Sequence, residues 1–157
     1  MSQENVDIVR SHLKPYDGVD IIPAIREYVE RLGPTPDPDA VLAVWAEDES
    51  WRHFHPEGEW EVANSGVLDI KAVGPVEIAR WWNDWAEAWD RYTYRVVEYR
   101  DLGEWVLAVI DLQARGRGGI PVETRTFEIR RVRDGKVAVC RVFSSEQEAL
   151  EAAGLRE

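Results

Sequence analysis

An α+β fold, with helices packed on one face of a curved antiparallel sheet, is what this chain predicts, and three features carry the prediction. Apolar residues recur at helical spacing through the first 45 residues. The stretch VEIARWWNDWAEAW (76–89) then lays out one long amphipathic helix. From Tyr92 onward the chain turns to four alternating runs divided by turn signals, the pattern of successive hairpins. At 157 residues the length suits a single domain, 1–157, with room for a sizeable core.

Each element has its own signal. Val6, Val9 and Leu13 share a helical face, and Pro15 ends that first helix. Ile21, Ile22, Ile25, Val29 and Leu32 form the stripe of a second helix over about 20–32, which Gly33-Pro34 stops. After the rigid linker TPDPD, Asp37 suits an N-cap and Pro38 the first helical position of a third helix carrying Val41, Leu42, Val44 and Trp45. Trp51, Phe54, Trp60 and Val62 suggest a strand or hairpin around 53–62, and 67–70 a short second strand. Gly74-Pro75 opens the tryptophan-rich helix, on which Ile78, Trp82, Trp85 and Trp89 share a face with Trp81 beside them. Strands follow over 92–99, 105–115, 122–132 and 136–143, with a tight turn at Asp134-Gly135. Ser145 and Glu148 make a capping box for a last helix ending at Gly154.

Composition narrows the function. A formal charge of −11 disfavours nucleic acid and anionic membrane surfaces as partners. The start has no leader pattern, and no apolar run approaches the roughly 20 residues of a membrane span, so a cytoplasmic protein is expected. Cys140, the single cysteine, lies in an apolar alternating run and reads as an inert core thiol. The loop RGRGG has neither the dinucleotide nor the P-loop spacing, and no cofactor is expected. Eight tryptophans in so short a chain must enter a core, an interface or a pocket.

The wording of several segments adds a likeness. MSQENVDIVR, WWNDWAEAW, ARGRGG, RRVRDGKV and EQEALEAAGL resemble the actinobacterial SnoaL-like proteins of the nuclear transport factor two-like superfamily, over most of the chain and least over 15–65. The resemblance implies a cone-like sheet wrapped around N-terminal and central helices, a pocket between them, and often a homodimer built on the sheet. It also implies kinship with polyketide cyclases, ketosteroid isomerases and limonene-epoxide hydrolases, and with members that only bind. The segment 18–39 departs from the pattern by an extra helix and a proline linker, which bears on access to the pocket.

Turn positions give a strand register, and with it the candidate site. Centring one turn on Asp134-Gly135 sets Glu128 opposite Arg141; centring the loop on Gly118-Gly119 sets Asp111 opposite Thr126 and Gln113 opposite Thr124. One face then carries Trp105, Leu107, Val109, Asp111, Gln113, Thr126, Glu128, Arg130, Arg141 and Phe143, a mixture that suits a pocket wall. The other, with Ala108, Ile110, Leu112, Phe127, Ile129 and Cys140, suits packing. Glu128 or Asp111 is the candidate general base, with Arg141 stabilising a developing oxyanion; the alternative is a structural Glu128–Arg141 ion pair and a solvated Asp111. Period two places Trp51, His53 and His55 together, with His53 as a candidate acid/base group at the pocket mouth and the other two toward substrate. No third ligand at metal spacing joins the histidines, and His12 reads as a helix-surface residue. Trp81, Trp82, Trp85 and Trp89 either stack a flat ligand or form core.

The leading functional expectation is a small-molecule pocket protein, a cofactor-free isomerase, lyase or cyclase acting on an apolar oxygenated substrate. The alternative is a ligand-binding or dimerisation module without chemistry. Epoxide hydrolysis ranks last, because no second aspartate joins Asp111 and Arg141.

Overall fold

A computed structural model describes residues 2–64 and 68–155. Among them the helices are α1 (Ser2–Leu13), α2 (Ile22–Leu32), α3 (Pro38–Glu47), α4 (Gly74–Ala86) and α5 (Glu146–Ala152). The strands are β1 (Phe54–Asn64), β2 (Leu68–Val73), β3 (Trp89–Asp101), β4 (Val106–Gly116), β5 (Pro121–Arg133) and β6 (Lys136–Phe143). They form one curved sheet in the order β2-β1-β6-β5-β4-β3, antiparallel throughout except for the parallel β1–β6 pair. The expected second strand is β2, and Val67 lies outside the described residues. No helix is long and apolar enough to cross a membrane.

Local signals set the element ends. Asp37 caps α3 by accepting a hydrogen bond from Ala40 N–H at 2.8 Å, and Ser145 caps α5 through Glu148 N–H at 3.2 Å. Gly33, at a φ of 75°, ends α2 in a conformation that favours glycine. The tryptophan-rich helix stops at Ala86, so Trp89 opens β3 instead of closing α4.

Two one-residue differences decide which side chains share a face. Asp134 and Gly135 have φ of 54° and 74°, as the tight hairpin requires, and Arg133 pairs with Lys136. Val132 then pairs with Val137, but Arg131 pairs with Val139, leaving Ala138 as a β-bulge. Beyond it the register moves by one, and Glu128 lies opposite Val142, not Arg141. The β4–β5 loop centres on Gly118, which pairs Ile110 with Thr126 and Ala108 with Glu128 and sets Asp111 against Arg125. The two slips exchange the faces of β4 and β6 while β5 keeps its expected set.

The main core lies between the concave face and α1, α3 and α4, around Val9, Val41, Phe54, Ile78 and Cys140. Cys140 is fully buried, and burial pushes its thiol pKa up, away from reactivity. A smaller cluster on the opposite face, Trp105, Leu107, Val109, Ile129 and Phe143, is partly covered by α5 through Ala149.

Phe54 sits at an irregular stretch of β1 made possible by Gly58. A Cβ there would strike the Phe54 ring edge and come within 3.0 Å of the His55 carbonyl oxygen. The ring is 2% exposed and has Trp45, Trp51 and Trp60 rings 5.3–6.3 Å away, so it has little space to yield. Gly58→Ala is therefore expected to lose about 1–3 kcal/mol, as overpacking does, read from the midpoint of urea unfolding.

Candidate functional site

A cavity of about 350 Å³ lies between the concave sheet face and the helices. Five of the eight tryptophans line it: Trp51, Trp60, Trp81, Trp82 and Trp85. Their rings are neighbours, Trp81–Trp82 at 4.9 Å, Trp82–Trp85 at 4.9 Å and Trp60–Trp82 at 5.2 Å between centroids, mostly edge to face. Such a wall is apolar, rigid and suited to stacking a flat molecule.

The additional segment 18–39 builds one wall. Ile21, Ala24, Ile25 and Tyr28 face the cavity from α2 and the residue before it. Backbone bonds tie the segment to β3, Gly18 N–H to Tyr94 O at 2.7 Å and Ile21 N–H to Tyr92 O at 2.9 Å. Trp45 Nε1–H donates to the Tyr28 hydroxyl at 2.8 Å, and burial pushes that phenol up to about 12.

The polar groups come from β5 and from the chain around α1. Thr126, Glu128 and Arg130 alternate along β5 and all face the cavity. Arg130, 1% exposed, donates Nη2 to Glu128 Oε1 at 2.8 Å, and Thr126 Oγ1 donates to Glu128 Oε2 at 3.2 Å. Asp48 also lines the cavity, but its oxygens already accept from Tyr16 OH and from the N–H groups of Ser50 and Trp51, holding the 3₁₀ turn Trp51–His53. His12 projects from α1, 3% exposed, with its ring 5.6 Å from Trp51 and 5.7 Å from Phe54. Burial first, then Arg130 and His53, hold its pKa well below 6.5, so the imidazole is neutral at pH 7.

Of the residues singled out from sequence, Glu128, Thr126, Arg130, Trp51, Trp81, Trp82 and Trp85 line this cavity, whereas Asp111, Gln113, Arg141, Phe143, His53, His55 and Trp89 do not. Asp111 is on the outer face, where Arg125 binds both its oxygens at 2.6 and 3.1 Å and holds its carboxyl below the usual range. Gln113 is exposed there, bonded to Glu123. Arg141 lies over Trp105 at 5.2 Å and pairs with Glu61 at 3.4 Å, and Phe143 packs in the outer cluster. The Ala138 bulge and the loop centre account for all four. His53 ends a 3₁₀ turn, so the assumed extended period fails and only Trp51 reaches the cavity. His55 contacts Asp134 and Arg133 at the β5–β6 turn. Trp89 packs on Trp85 and Tyr92 outside the lining. With Asp111 and Arg141 outside, the constellation for epoxide hydrolysis is not assembled in the cavity.

Sequence reasoning missed His12, Trp60 and Tyr94 as lining residues. A signal existed for His12: it follows Val9 by three and precedes Leu13, which puts it on the buried stripe of α1. Arg130 lines the cavity as expected with Glu128, since residues two apart on a strand share a face.

Comparisons with known proteins agree with this architecture. A structure of a nuclear transport factor two-like protein from Burkholderia thailandensis superposes with a TM-score of 0.59 at 23% identity, covering 94% of this chain and 95% of that one. A SnoaL-like polyketide cyclase candidate from Jannaschia sp. gives 0.52 at 17% identity, covering 86% and 94%. A protein of ketosteroid isomerase-like fold from Catenulispora acidiphila, solved with trimethylamine, gives 0.53 at 16% identity, covering 78% and 96%. At these identities the likeness speaks for the fold. No functionally curated protein matches the sequence. The SnoaL-like domain model, in contrast, matches residues 25–140, which span most of the sheet, most of α2, and α3 and α4, and the chain belongs to that family.

Proposed function

We propose that the chain binds a flat, apolar, oxygen-bearing small molecule in the tryptophan-lined cavity, and that Glu128 transfers a proton to or from it in a cofactor-free isomerisation, elimination or cyclisation. The observation that carries this reading is the position of Glu128. It is a buried carboxylate on an aromatic wall, and unlike Asp48 it caps no backbone turn. Its carboxylate lies 2.8 Å from the Arg130 guanidinium on the cavity wall, so a proton can pass between Glu128 and a bound ligand while Arg130 faces the charge that develops on the ligand. The second reading, binding without chemistry, draws on the engagement of both Glu128 oxygens, by Arg130 and by Thr126.

Tryptophan fluorescence titrated with steroid-like, polyketide-like and terpenoid ketones tests the site. One class is expected to quench saturably, with about tenfold or more loss of affinity in Trp85→Ala, a loss on the order of 1.4 kcal/mol. Turnover of that class, abolished in Glu128→Gln while binding persists, selects catalysis; binding without turnover selects the second reading. A flat response to every class counts against both.

A further inference from the structure

The cavity floor holds more hydrogen-bond donors than acceptors. Arg130 gives Nη2 to Glu128, while its Nε and Nη1 find no acceptor among the described residues. The indole N–H groups of Trp60, from β1, and Trp82, from α4, are buried and equally without an acceptor among those residues. The three groups are neighbours: the Trp60 ring is 5.7 Å from the Arg130 guanidinium carbon and 5.2 Å from the Trp82 ring. Buried donors in this state are uncommon, and a ligand oxygen among them would relieve the deficit.

Charge limits what that oxygen can be. The groups facing the Glu128–Arg130 pair are His12 from α1, Tyr92, Tyr94 and Tyr99 from β3, and Cys140 from β6. Burial keeps the imidazole neutral and the phenols and thiol protonated, so none of these neighbours adds a charge beside the ion pair. A second anion in this dry site would repel the first strongly.

We propose that Arg130 exchanges its counter-ion on binding: the oxyanion of an enol, phenol or hydroxyquinone takes the place of Glu128 at the guanidinium, near the Trp60 and Trp82 N–H groups, and Glu128 gains one proton. The proposal rests on the reading of the cavity as an aromatic-ligand site and names the ligand's acidic group. For a ligand arriving as the neutral acid, its O–H or α-C–H bond breaks, the bonding pair stays on the ligand and spreads to the oxygen, and the proton goes to a Glu128 oxygen. The net charge of the cavity is unchanged. For a ligand arriving as the anion, the proton comes from solvent.

Two quinones of the same ring system separate the ideas. 2-Hydroxy-1,4-naphthoquinone is ionised at neutral pH, and 2-methoxy-1,4-naphthoquinone cannot ionise. Calorimetry on the full chain, in two buffers of different ionisation enthalpy, is expected to show uptake of close to one proton per bound hydroxyquinone and none for the methyl ether. The hydroxyquinone affinity should fall about tenfold for each pH unit above neutral, the slope of a one-proton linkage. In Glu128→Gln both the proton uptake and the slope disappear, and the hydroxyquinone raises the Tm more than it does in the wild type, because it now supplies the missing counter-ion. Binding of the methyl ether alone, or hydroxyquinone binding without proton uptake in the wild type, overturns the exchange while leaving the aromatic-ligand reading intact. If neither quinone binds, both readings fall.

Discussion

Arg130→Met is expected to lose about 3–5 kcal/mol of folding stability, because it strands the Glu128 carboxylate in a site built around the guanidinium. Glu128→Gln should lose a comparable amount for the converse reason, since the 1% exposed guanidinium keeps its charge whatever stands beside it. The pair Glu128→Gln/Arg130→Met should be far closer to the wild type than either single variant. Removing both charges also removes their desolvation cost, and apolar replacements of buried ion pairs are often neutral or stabilising. Urea unfolding of the four proteins closes a double-mutant cycle, and a coupling energy of several kcal/mol is the expected result. Additive losses would mean that the two charges are screened from one another, and the proposed role of Glu128 would lose its basis. A stable double variant would instead show that the fold does not need the ion pair, which leaves ligand chemistry as the reason for burying it.

The same pair shows where sequence reasoning held and where it stopped. The helices were legible because their signals are local: Asp37-Pro38 opens α3, Gly33-Pro34 closes α2, and Ser145 caps α5 within a few residues of sequence. The strands were legible as well, because alternation survives without knowledge of their partners. Register was not, since it depends on the sum of turn geometry and every irregularity between the turn and the site. Ala138 carries no mark that distinguishes a bulged alanine from an ordinary strand alanine, yet it moves Arg141 to the outer face and puts Val142 and Cys140 beside Glu128. A loop of three glycines around Arg117 leaves its centre ambiguous by one residue, which is enough to exchange Asp111 for Ile110 and Leu112. Glu128 survived both slips because the candidate face was assigned from β5, the strand between them. His53 failed for a different reason. An aromatic, β-favouring composition was read as extended chain, whereas Asp48 tightens it into a 3₁₀ turn by accepting the Ser50 and Trp51 N–H groups.

His12 gives the fold a predictable weakness to acid. Its imidazole is packed among Trp51 and Phe54, with Nδ1 lacking a partner among the described residues, and Arg130 and His53 add positive charge nearby. Each of these opposes protonation in the folded state, burial most of all. In the unfolded chain the same group takes up a proton near its ordinary value of 6.5. Stability from keeping His12 neutral is therefore complete above that pH. Below it the unfolded chain binds a proton that the folded chain does not, and stability falls by about 1.4 kcal/mol per pH unit until the depressed folded value is reached. Two units below 6.5 the loss from this one residue amounts to up to about 2.7 kcal/mol. Urea midpoints measured from pH 7.5 down to 4.5 in the wild type and in His12→Gln isolate the contribution, since the carboxylates titrate in both proteins. The wild-type curve should steepen below pH 6.5 and the variant curve should not; parallel curves would mean that water reaches His12 and that the cavity is wetter at the α1 end than its lining implies. A ligand that fills the cavity should extend the steep region further down in pH, because it excludes the water that protonation of the imidazole requires.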